Sequence, residues 1–199
     1  MDHYYSENPN VESDPTTINV VIREQQLTFT SDRGVFSKGD IDFGTRVLLE
    51  SFEWPTVKGG IGDIGCGWGP IGVTLAKENS DRSIVMVDVN KRAVELAKNN
   101  AKLNRVGNVE VIQSSLFSNV RDYEFATILT NPPIRAGKKI VHQLFEEAYA
   151  QLLSGGELWV VIQKKQGAPS AKKKLEEMFD VVEVPRKEKG YFILNAKKY

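Results

Sequence analysis

The sequence predicts an α/β fold in which a mostly parallel, doubly wound sheet carries helices on both faces. From residue 60 onward, apolar runs of strand length alternate with amphipathic stretches of helix length, an order typical of parallel strands joined by helices. A glycine-rich turn joins the first of these strands to the first helix. The last two β-rich runs lie too close together for a helical crossover, so we expect them to pair antiparallel.

The N-terminal part is predicted to be an arm followed by a small cover. Residues 1–17 are polar and contain Pro9 and Pro15, which favours a flexible arm. Within residues 18–55, two short β-rich runs around Glu24–Gln25 predict a β-hairpin, and a glycine-punctuated loop leads into a helix. The apolar residues that share one face of this helix are Phe43, Val47, Leu48 and Phe52.

Residues 56–199 are predicted to form the core of one domain that spans residues 1–199. The predicted strands cover 60–65, 83–89, 108–113, 125–130 and 157–163. The predicted helices cover 70–79, 90–104, 138–153 and 169–179, with Pro70 in a first turn and Asn90 as an N-cap. The closing antiparallel pair is formed by residues 181–187 and 191–197.

Composition points to a cytoplasmic protein. Of the 199 residues, 41% are hydrophobic and 26% charged, and no apolar stretch approaches the length of a membrane span. The first ten residues have neither the basic nor the apolar region of a signal peptide, and the single Cys66 cannot form an internal disulfide. We expect no membrane contact and no metal site, and the sequence indicates no oligomeric state.

The charge is distributed unevenly along the chain. Residues 1–130 hold 13 basic and 18 acidic side chains, whereas residues 131–199 hold 13 basic and 8 acidic ones, a net charge of +5. The clusters in this C-terminal third are Lys164–Lys165, Lys172–Lys174, Arg186–Lys189 and Lys197–Lys198. Such clusters are either solvated faces or a surface that meets phosphates.

A glycine loop and a later carboxylate predict a site for a nucleoside-containing cofactor. In "DIGCGWGPIG", glycines at 65, 67 and 69 allow a tight turn between strand and helix against which a ligand can lie. Asp88 ends the next strand, where its carboxylate can accept hydrogen bonds from ribose hydroxyls. The alternative is a glycine-rich turn without a ligand, in which Asp63 and Asp88 cap backbone groups.

Asp63, two residues before the first glycine, favours one cofactor over another. The loop also matches the dinucleotide pattern, but a carboxylate at this position would repel a pyrophosphate. It can instead hold an ammonium group, directly or through water. S-Adenosylmethionine carries an ammonium group and no phosphate, so we predict S-adenosylmethionine rather than NAD.

The stretch "ATILTNPPIRAGKKIVH" ends a predicted buried strand at a polar corner. Two prolines supply no backbone donors, so we expect carbonyl oxygens that no local N–H claims. The Asn131 side-chain oxygen and the Pro132 carbonyl could accept both hydrogens of an exocyclic amine and direct its lone pair toward a methyl group, with Pro133 fixing the turn. The alternative is that Pro132 and Pro133 only end the strand and Asn131 caps a turn.

These motifs resemble those of a known family. "DIGCGWGPIG", "VDVN" and "NPPIRAGK", in this order, are similar to the class I S-adenosylmethionine-dependent methyltransferases, and "GVFSKGDIDFGTRVLLE" is similar to the bacterial small-subunit ribosomal RNA guanine-N2 methyltransferases. The resemblance covers roughly residues 30–199. It implies a Rossmann-like seven-stranded sheet with an antiparallel last-paired strand. It also implies methylation of a base amino group in ribosomal RNA or the small ribosomal subunit.

Further residues near these motifs are predicted to contact the cofactor or the substrate. Additional cofactor candidates are Cys66, Val89, Ser115 and Leu116. The substrate candidates are Phe36, Ile134, Arg135, Lys138 and Tyr191.

The chain departs from the family pattern in two ways. Many Asn-Pro-Pro enzymes place an aromatic residue where this chain has Ile134, so Phe36 or Tyr191 is expected to stack on the base instead. Larger family members carry an extra methyltransferase-like domain, which is not in this sequence; recognition is therefore expected to rest on the hairpin, the arm or the basic C-terminal third. The alternatives are methylation of a protein glutamine amide or adenine N6, and a module that binds cofactor or RNA without turnover.

Overall fold

The computed structural model describes residues 5–199 and contains nine strands and five α-helices in this part of the chain. The strands are β1 Thr16–Ile22, β2 Gln25–Ser31, β3 Gly60–Ile64, β4 Ile84–Asp88, β5 Val109–Gln113, β6 Phe125–Thr130, β7 Leu152–Gln163, β8 Val181–Glu188 and β9 Tyr191–Lys197. The helices are α1 Phe43–Ser51, α2 Pro70–Glu78, α3 Lys91–Leu103, α4 Lys138–Gln151 and α5 Ala168–Glu176.

Seven strands form one sheet in the order β5-β4-β3-β6-β7-β9-β8. The first five strands in this order pair parallel, and β9 pairs antiparallel with both β7 and β8. The predicted fold class is therefore confirmed, including the antiparallel last-paired strand. Because the order reverses direction between β3 and β6, the carboxyl ends of these strands flank a crevice suited to a ligand.

Both faces of the sheet are covered. One core contains buried residues of α1, α2, α3 and the β1–β2 hairpin, with Phe29 and Trp68 in edge-to-face contact at 5.0 Å between ring centroids. The other contains residues of α4 and α5, such as Phe145 and Leu175. The strand β6 is buried along its whole length because it lies in the middle of the sheet between these two cores.

The hairpin turns one residue earlier than predicted. Its turn residues are Arg23 and Glu24, which have φ values of +50° and +64°. Ile22 and Gln25, on either side of the turn, are the last pair of the hairpin. The Arg23 guanidinium donates to Glu78 and to the carbonyl oxygens of Leu49 and Phe52. These tertiary bonds hold a left-handed turn without the usual glycine.

The described part of the arm contacts the rest of the molecule. The Glu7 carbonyl accepts from Lys91 N at 2.9 Å, and the Val11 carbonyl accepts from the Arg92 guanidinium at 2.7 Å. Asp14 forms ion pairs with two basic residues, Arg33 and Lys38. The prediction of a loosely held segment is therefore not supported for residues 7–14.

The strand β7 starts earlier than predicted. It includes Gly155 and Gly156, which were expected to precede it, because Gly155 N donates to Lys198 O and Lys198 N donates to Gly156 O. The other main-sheet elements agree with the prediction to within a few residues at their ends. In residues 5–199, no helix combines the length and the apolar character that crossing a bilayer requires.

Candidate active site

The carboxyl ends of β3, β4, β5 and β6 meet at one pocket of about 890 Å³, a volume that includes its open mouth. The predicted cofactor residues that line the pocket are Gly65, Cys66, Gly67, Asp88, Val89, Leu116 and Asn131. The sheet thus brings together residues that are separated by more than sixty positions along the chain.

The glycine loop lies directly against the pocket. Gly65 and Gly67 have φ values of +74° and +55°, which other residues rarely adopt. The amides of Gly65 and Cys66 both donate to Val87 O, at 2.9 and 2.8 Å, and this fixes the loop on β4. A Cβ at Gly67 would meet no atom within 4 Å, so a side chain there would occupy space that the backbone leaves open.

Two residues of the loop have structural roles. Gly69 does not line the pocket: it precedes α2 with φ +101°, and a Cβ there would lie 3.0 Å from Met86 Cε. Cys66 lines the pocket but is buried, and burial raises the pKa of its thiol well above the usual value. A thiol that stays protonated is a poor nucleophile.

Asp88 borders the pocket with both carboxylate oxygens already bonded to backbone amides. Oδ2 accepts from Gly67 N at 2.8 Å, and Oδ1 accepts from Asn90 N at 2.9 Å. Desolvation is the main cause that raises the pKa of Asp88 to about 6, and the backbone hydrogen bonds oppose it. Because a carboxylate has about four lone-pair positions, these bonds leave acceptor capacity for ribose hydroxyls.

Asp63 is fully buried beneath the glycine loop and does not line the pocket. Its Oδ2 accepts from Gly72 N at 2.9 Å, so Asp63 caps a backbone group, as the alternative interpretation of the loop predicts. Its Oδ1 has no hydrogen-bond partner among the described residues. Burial is the main cause that raises the pKa of Asp63 to about 7; the hydrogen bond from Gly72 N opposes this shift, and the nearby Asp88 charge contributes to it.

The raised pKa of Asp63 predicts a stability that depends on pH. Because the folded state binds this proton more tightly than the unfolded chain, the stabilisation is full below pH 4 and is lost as pH rises through about 7. The shift corresponds to roughly 4 kcal/mol. For the unliganded protein we expect Tm to fall by roughly 5–10 °C between pH 5 and pH 8.

The control for this prediction is Asp63→Asn, which keeps an acceptor for Gly72 N and carries no charge. Its Tm, measured by calorimetry, should fall much less over the same pH range, with a remaining slope from Asp88. Parallel pH profiles for the two proteins would show that the Asp63 charge does not govern this stability.

The helix α1 fixes the orientation of the Asn131 amide. Asn131 Nδ2 donates to Asp42 Oδ2 and to Thr45 Oγ1, each at 3.0 Å. Asp42 is also the N-cap of α1, accepting from Thr45 N. Since both amide hydrogens are used, the Oδ1 atom is the free acceptor, and it receives no hydrogen bond from residues 5–199.

The proline carbonyls are not free of local donors, and that expectation is wrong. Ile134 N donates to Pro132 O at 2.9 Å, and Ala136 N donates to Pro133 O at 3.0 Å. The chain turns immediately into a short 3₁₀ segment, Ile134–Ala136, which brings these amides back over the prolines. Because a carbonyl oxygen has two lone pairs, Pro132 O keeps one for a second donor. Both prolines are buried and line the pocket.

Several residues of the site were not predicted from the sequence. Asp42 and Thr45 line the pocket and hold Asn131, although they lie more than 85 positions before it. The signal that was available is an N-cap pattern, an aspartate just before an amphipathic helix. Tyr5 and Ser114 also line the pocket, and no sequence pattern indicated them.

The loop after β5 places Leu116 rather than Ser115 on the pocket wall. Leu116 has φ +49°, and its carbonyl accepts from Ser114 Oγ at 2.7 Å. Ser115 is exposed and does not line the pocket. The strained backbone at Leu116 turns its apolar side chain inward.

The predicted substrate residues are only partly brought together. Phe36 lines the pocket, is 39% exposed, and has its carbonyl bonded to Trp68 Nε1. Tyr191 packs on the start of α1, with its ring centroid 5.5 Å from that of Phe43. Ile134 packs against the core of α4 and α5 rather than the pocket.

The two basic candidates lie next to the corner. Arg135 and Lys138 are exposed, and Lys138 begins α4.

Comparison with known proteins gives a consistent result. The family model described as methyltransferase small domain matches residues 26–195. The Bacillus subtilis (strain 168) protein YbxB is 59% identical over 198 residues, which is 99% of this chain and 98% of that protein. A Vibrio cholerae ribosomal RNA small subunit methyltransferase C is 32% identical over 177 residues, 87% of this chain and 50% of that protein.

A solved structure shows the same fold. The Thermus thermophilus 16S rRNA N2 G1207 methyltransferase, in complex with AdoMet and guanosine, superposes with a TM-score of 0.83 at 23% identity. The superposition covers 96% of this chain and 52% of that one. The chain therefore spans about half the length of the ribosomal RNA methyltransferases that it matches.

Proposed function

The chain belongs to the methyltransferase small domain family and is an S-adenosylmethionine-dependent methyltransferase, and we propose that it methylates guanine N2 in small-subunit ribosomal RNA. The observation that carries this proposal is the Asn131 amide, whose nitrogen donates to Asp42 and Thr45 so that its oxygen is the free acceptor beside the pocket. Such an acceptor suits a planar NH₂ group. We propose that the enzyme acts in the cytoplasm, on RNA or on the small subunit.

The pocket fits S-adenosylmethionine. The Asp88 carboxylate has acceptor capacity for ribose, and the space beside Gly67 allows a ligand to lie against bare backbone. The unpartnered Oδ1 of Asp63 lies beneath the same loop, and a nearby ammonium group, through the loop or through water, would favour the ionised form of this carboxyl group. When bound, the cofactor supplies an electrophilic methyl group.

The residues of the corner act on the amine of the base. Asn131 Oδ1 and the second lone pair of Pro132 O accept the two N–H groups, which directs the nitrogen lone pair away from the ring plane. Positive charge develops on nitrogen as the bond to carbon forms, and these two oxygens stabilise it. The methylated ammonium is acidic and loses its proton to water, so no strong base is needed.

The comparisons support ribosomal RNA as the substrate class. The Vibrio cholerae relative is named for the ribosomal RNA small subunit, and the Thermus thermophilus structure is titled with 16S rRNA, N2 and guanosine. These names describe those proteins. For this chain they support guanine N2 over the glutamine amide and adenine N6, which the corner would also accommodate.

A basic edge beside the corner supports a nucleic acid substrate. Lys164 and Lys165 follow the carboxyl end of β7, which is parallel to β6. Lys189 lies in the β8–β9 turn. This turn is held beside Lys164, because Lys164 N donates to Gly190 O. Lys138 and Lys139 begin α4. Within residues 5–199, no carboxylate forms an ion pair with any of these five lysines.

Other basic clusters are partly neutralised. Lys172 pairs with Glu176, and Lys174 pairs with Glu146. Arg186 pairs with Glu50 and Glu188. The lysines of the basic edge are therefore the stronger candidates for phosphate contacts.

Charge reversal at the basic edge should weaken RNA binding. For the double variant Lys164→Glu/Lys165→Glu we expect affinity for 16S ribosomal RNA to fall by about tenfold. The slope of log affinity against log salt should decrease by roughly 1 to 2, because fewer counterions are released. Filter binding at several salt concentrations measures both quantities.

The matched control is Lys58→Glu/Lys102→Glu, which makes the same change in charge at two exposed residues. Lys58 precedes β3 and Lys102 lies in the last turn of α3, so both are at the opposite edge of the sheet. Equal losses in the two double variants would mean that net charge, not this edge, determines the binding.

A further inference from the structure

Tyr5 forms part of the pocket wall, although it lies in the N-terminal arm. It is half-buried and lines the pocket together with Asp88, Val89 and Leu116. Its hydroxyl lies near the Ser115 side chain. Burial raises the pKa of Tyr5, and the nearby carboxylates of Asp88 and Glu147 raise it further, so the phenol is neutral at physiological pH.

The arm is anchored at several points between Tyr5 and β1. Two bonds attach it to the start of α3, where Glu7 O accepts from Lys91 N and Val11 O accepts from Arg92. The third contact joins Pro9 to Gly34, in the loop that carries Phe36. The two residues are so close that a Cβ added at Gly34 would lie 2.8 Å from Pro9 Cβ. These contacts fix the path of the arm across the carboxyl end of β4, which carries Asp88.

The position of Tyr5 identifies the part of the ligand that it would meet. Asp88 is the acceptor suited to ribose, so the neighbouring side chains surround the base of a bound nucleoside. Val89 and Leu116 are apolar, and Tyr5 adds a planar ring to them. A pocket wall made of apolar side chains and an aromatic ring suits a purine ring.

We propose that Tyr5 is a cofactor-binding residue whose ring covers the adenine of S-adenosylmethionine, and that the N-terminal arm is thereby a functional part of the cofactor site. The nearby Ser115 places the arm against the loop after β5. This role concerns the cofactor alone, so it does not depend on which amine is methylated.

The proposal is tested by binding rather than by turnover. Dissociation constants for S-adenosylmethionine and for adenosine are measured by equilibrium dialysis with Tyr5→Ala, Tyr5→Phe and the control Tyr199→Ala, a tyrosine that is 70% exposed. We expect Tyr5→Ala to weaken both ligands by the same factor, about tenfold, since base stacking is lost. Tyr5→Phe should stay within about threefold of the wild type because it keeps the ring.

Two results would overturn the proposal: unchanged affinities in Tyr5→Ala, or a loss for S-adenosylmethionine that adenosine does not share. A measurement on the unaltered protein covers the case in which Tyr5→Ala does not fold. Saturating adenosine should slow nitration of Tyr5 by tetranitromethane at least about fivefold, while Tyr199 reacts at the same rate with and without adenosine. Equal nitration of Tyr5 in both conditions would equally overturn it.

Discussion

Replacing Asn131 with alanine is expected to lower the rate of methyl transfer by at least about a hundredfold at saturating cofactor and RNA. The variant loses the acceptor that directs the amine and stabilises its developing charge. Affinity for S-adenosylmethionine should stay within a few-fold of the wild type. The loss should therefore be in kcat, because the interaction strengthens in the transition state.

The matched control is Asn99→Ala, which removes an exposed asparagine of α3. Its single-turnover rate should equal that of the wild type. If Asn131→Ala methylates at the wild-type rate, the corner has no part in the chemistry. The hydrogen bonds that Asn131 donates to Asp42 and Thr45 would then only join α1 to the end of β6.

Replacing Asp88 with alanine is expected to weaken S-adenosylmethionine binding by roughly 5- to 150-fold, the equivalent of about 1–3 kcal/mol for a charged acceptor. The variant also removes the acceptor for Gly67 N and Asn90 N, so the loop itself is perturbed. Affinity alone does not separate these two effects. The ligand must therefore be varied together with the protein.

A comparison of adenosine with 2′-deoxyadenosine separates the loss of the ribose contact from the perturbation of the loop. The wild type should bind adenosine more tightly, and Asp88→Ala should lose that preference. Asp81→Ala, a change at an exposed carboxylate, should preserve it. If Asp88→Ala weakens both nucleosides equally and keeps the preference, Asp88 only supports the loop.

Local sequence patterns predicted the sheet and the position of the pocket well. Alternation of strands and helices is encoded in the periodicity of apolar residues, and short connections restrict the topology. The glycine loop and Asp88 could be placed because each lies directly after a recognisable strand. Gly69 was assigned to the cofactor because glycines in one loop look alike in sequence, whereas here it accommodates Met86.

Long-range contacts were the part that the sequence did not reveal. The bond between Asp42 and Asn131 joins residues 89 positions apart, and it depends on how α1 packs beside β6. The bonds to the proline carbonyls depend on a 3₁₀ turn that the apolar pattern does not encode. Pairing of the lysines likewise follows from tertiary structure, since Lys174 meets Glu146 on a different helix.

The most direct test of the proposed function is methyl transfer from radiolabelled S-adenosylmethionine to RNA and, in parallel, to protein. Both fractions come from cells that lack this gene, and Asn131→Ala serves as the inactive reference. The proposal predicts label in the small-subunit ribosomal RNA that digests to N2-methylguanosine. Label in protein alone would contradict it and would identify an amide as the acceptor.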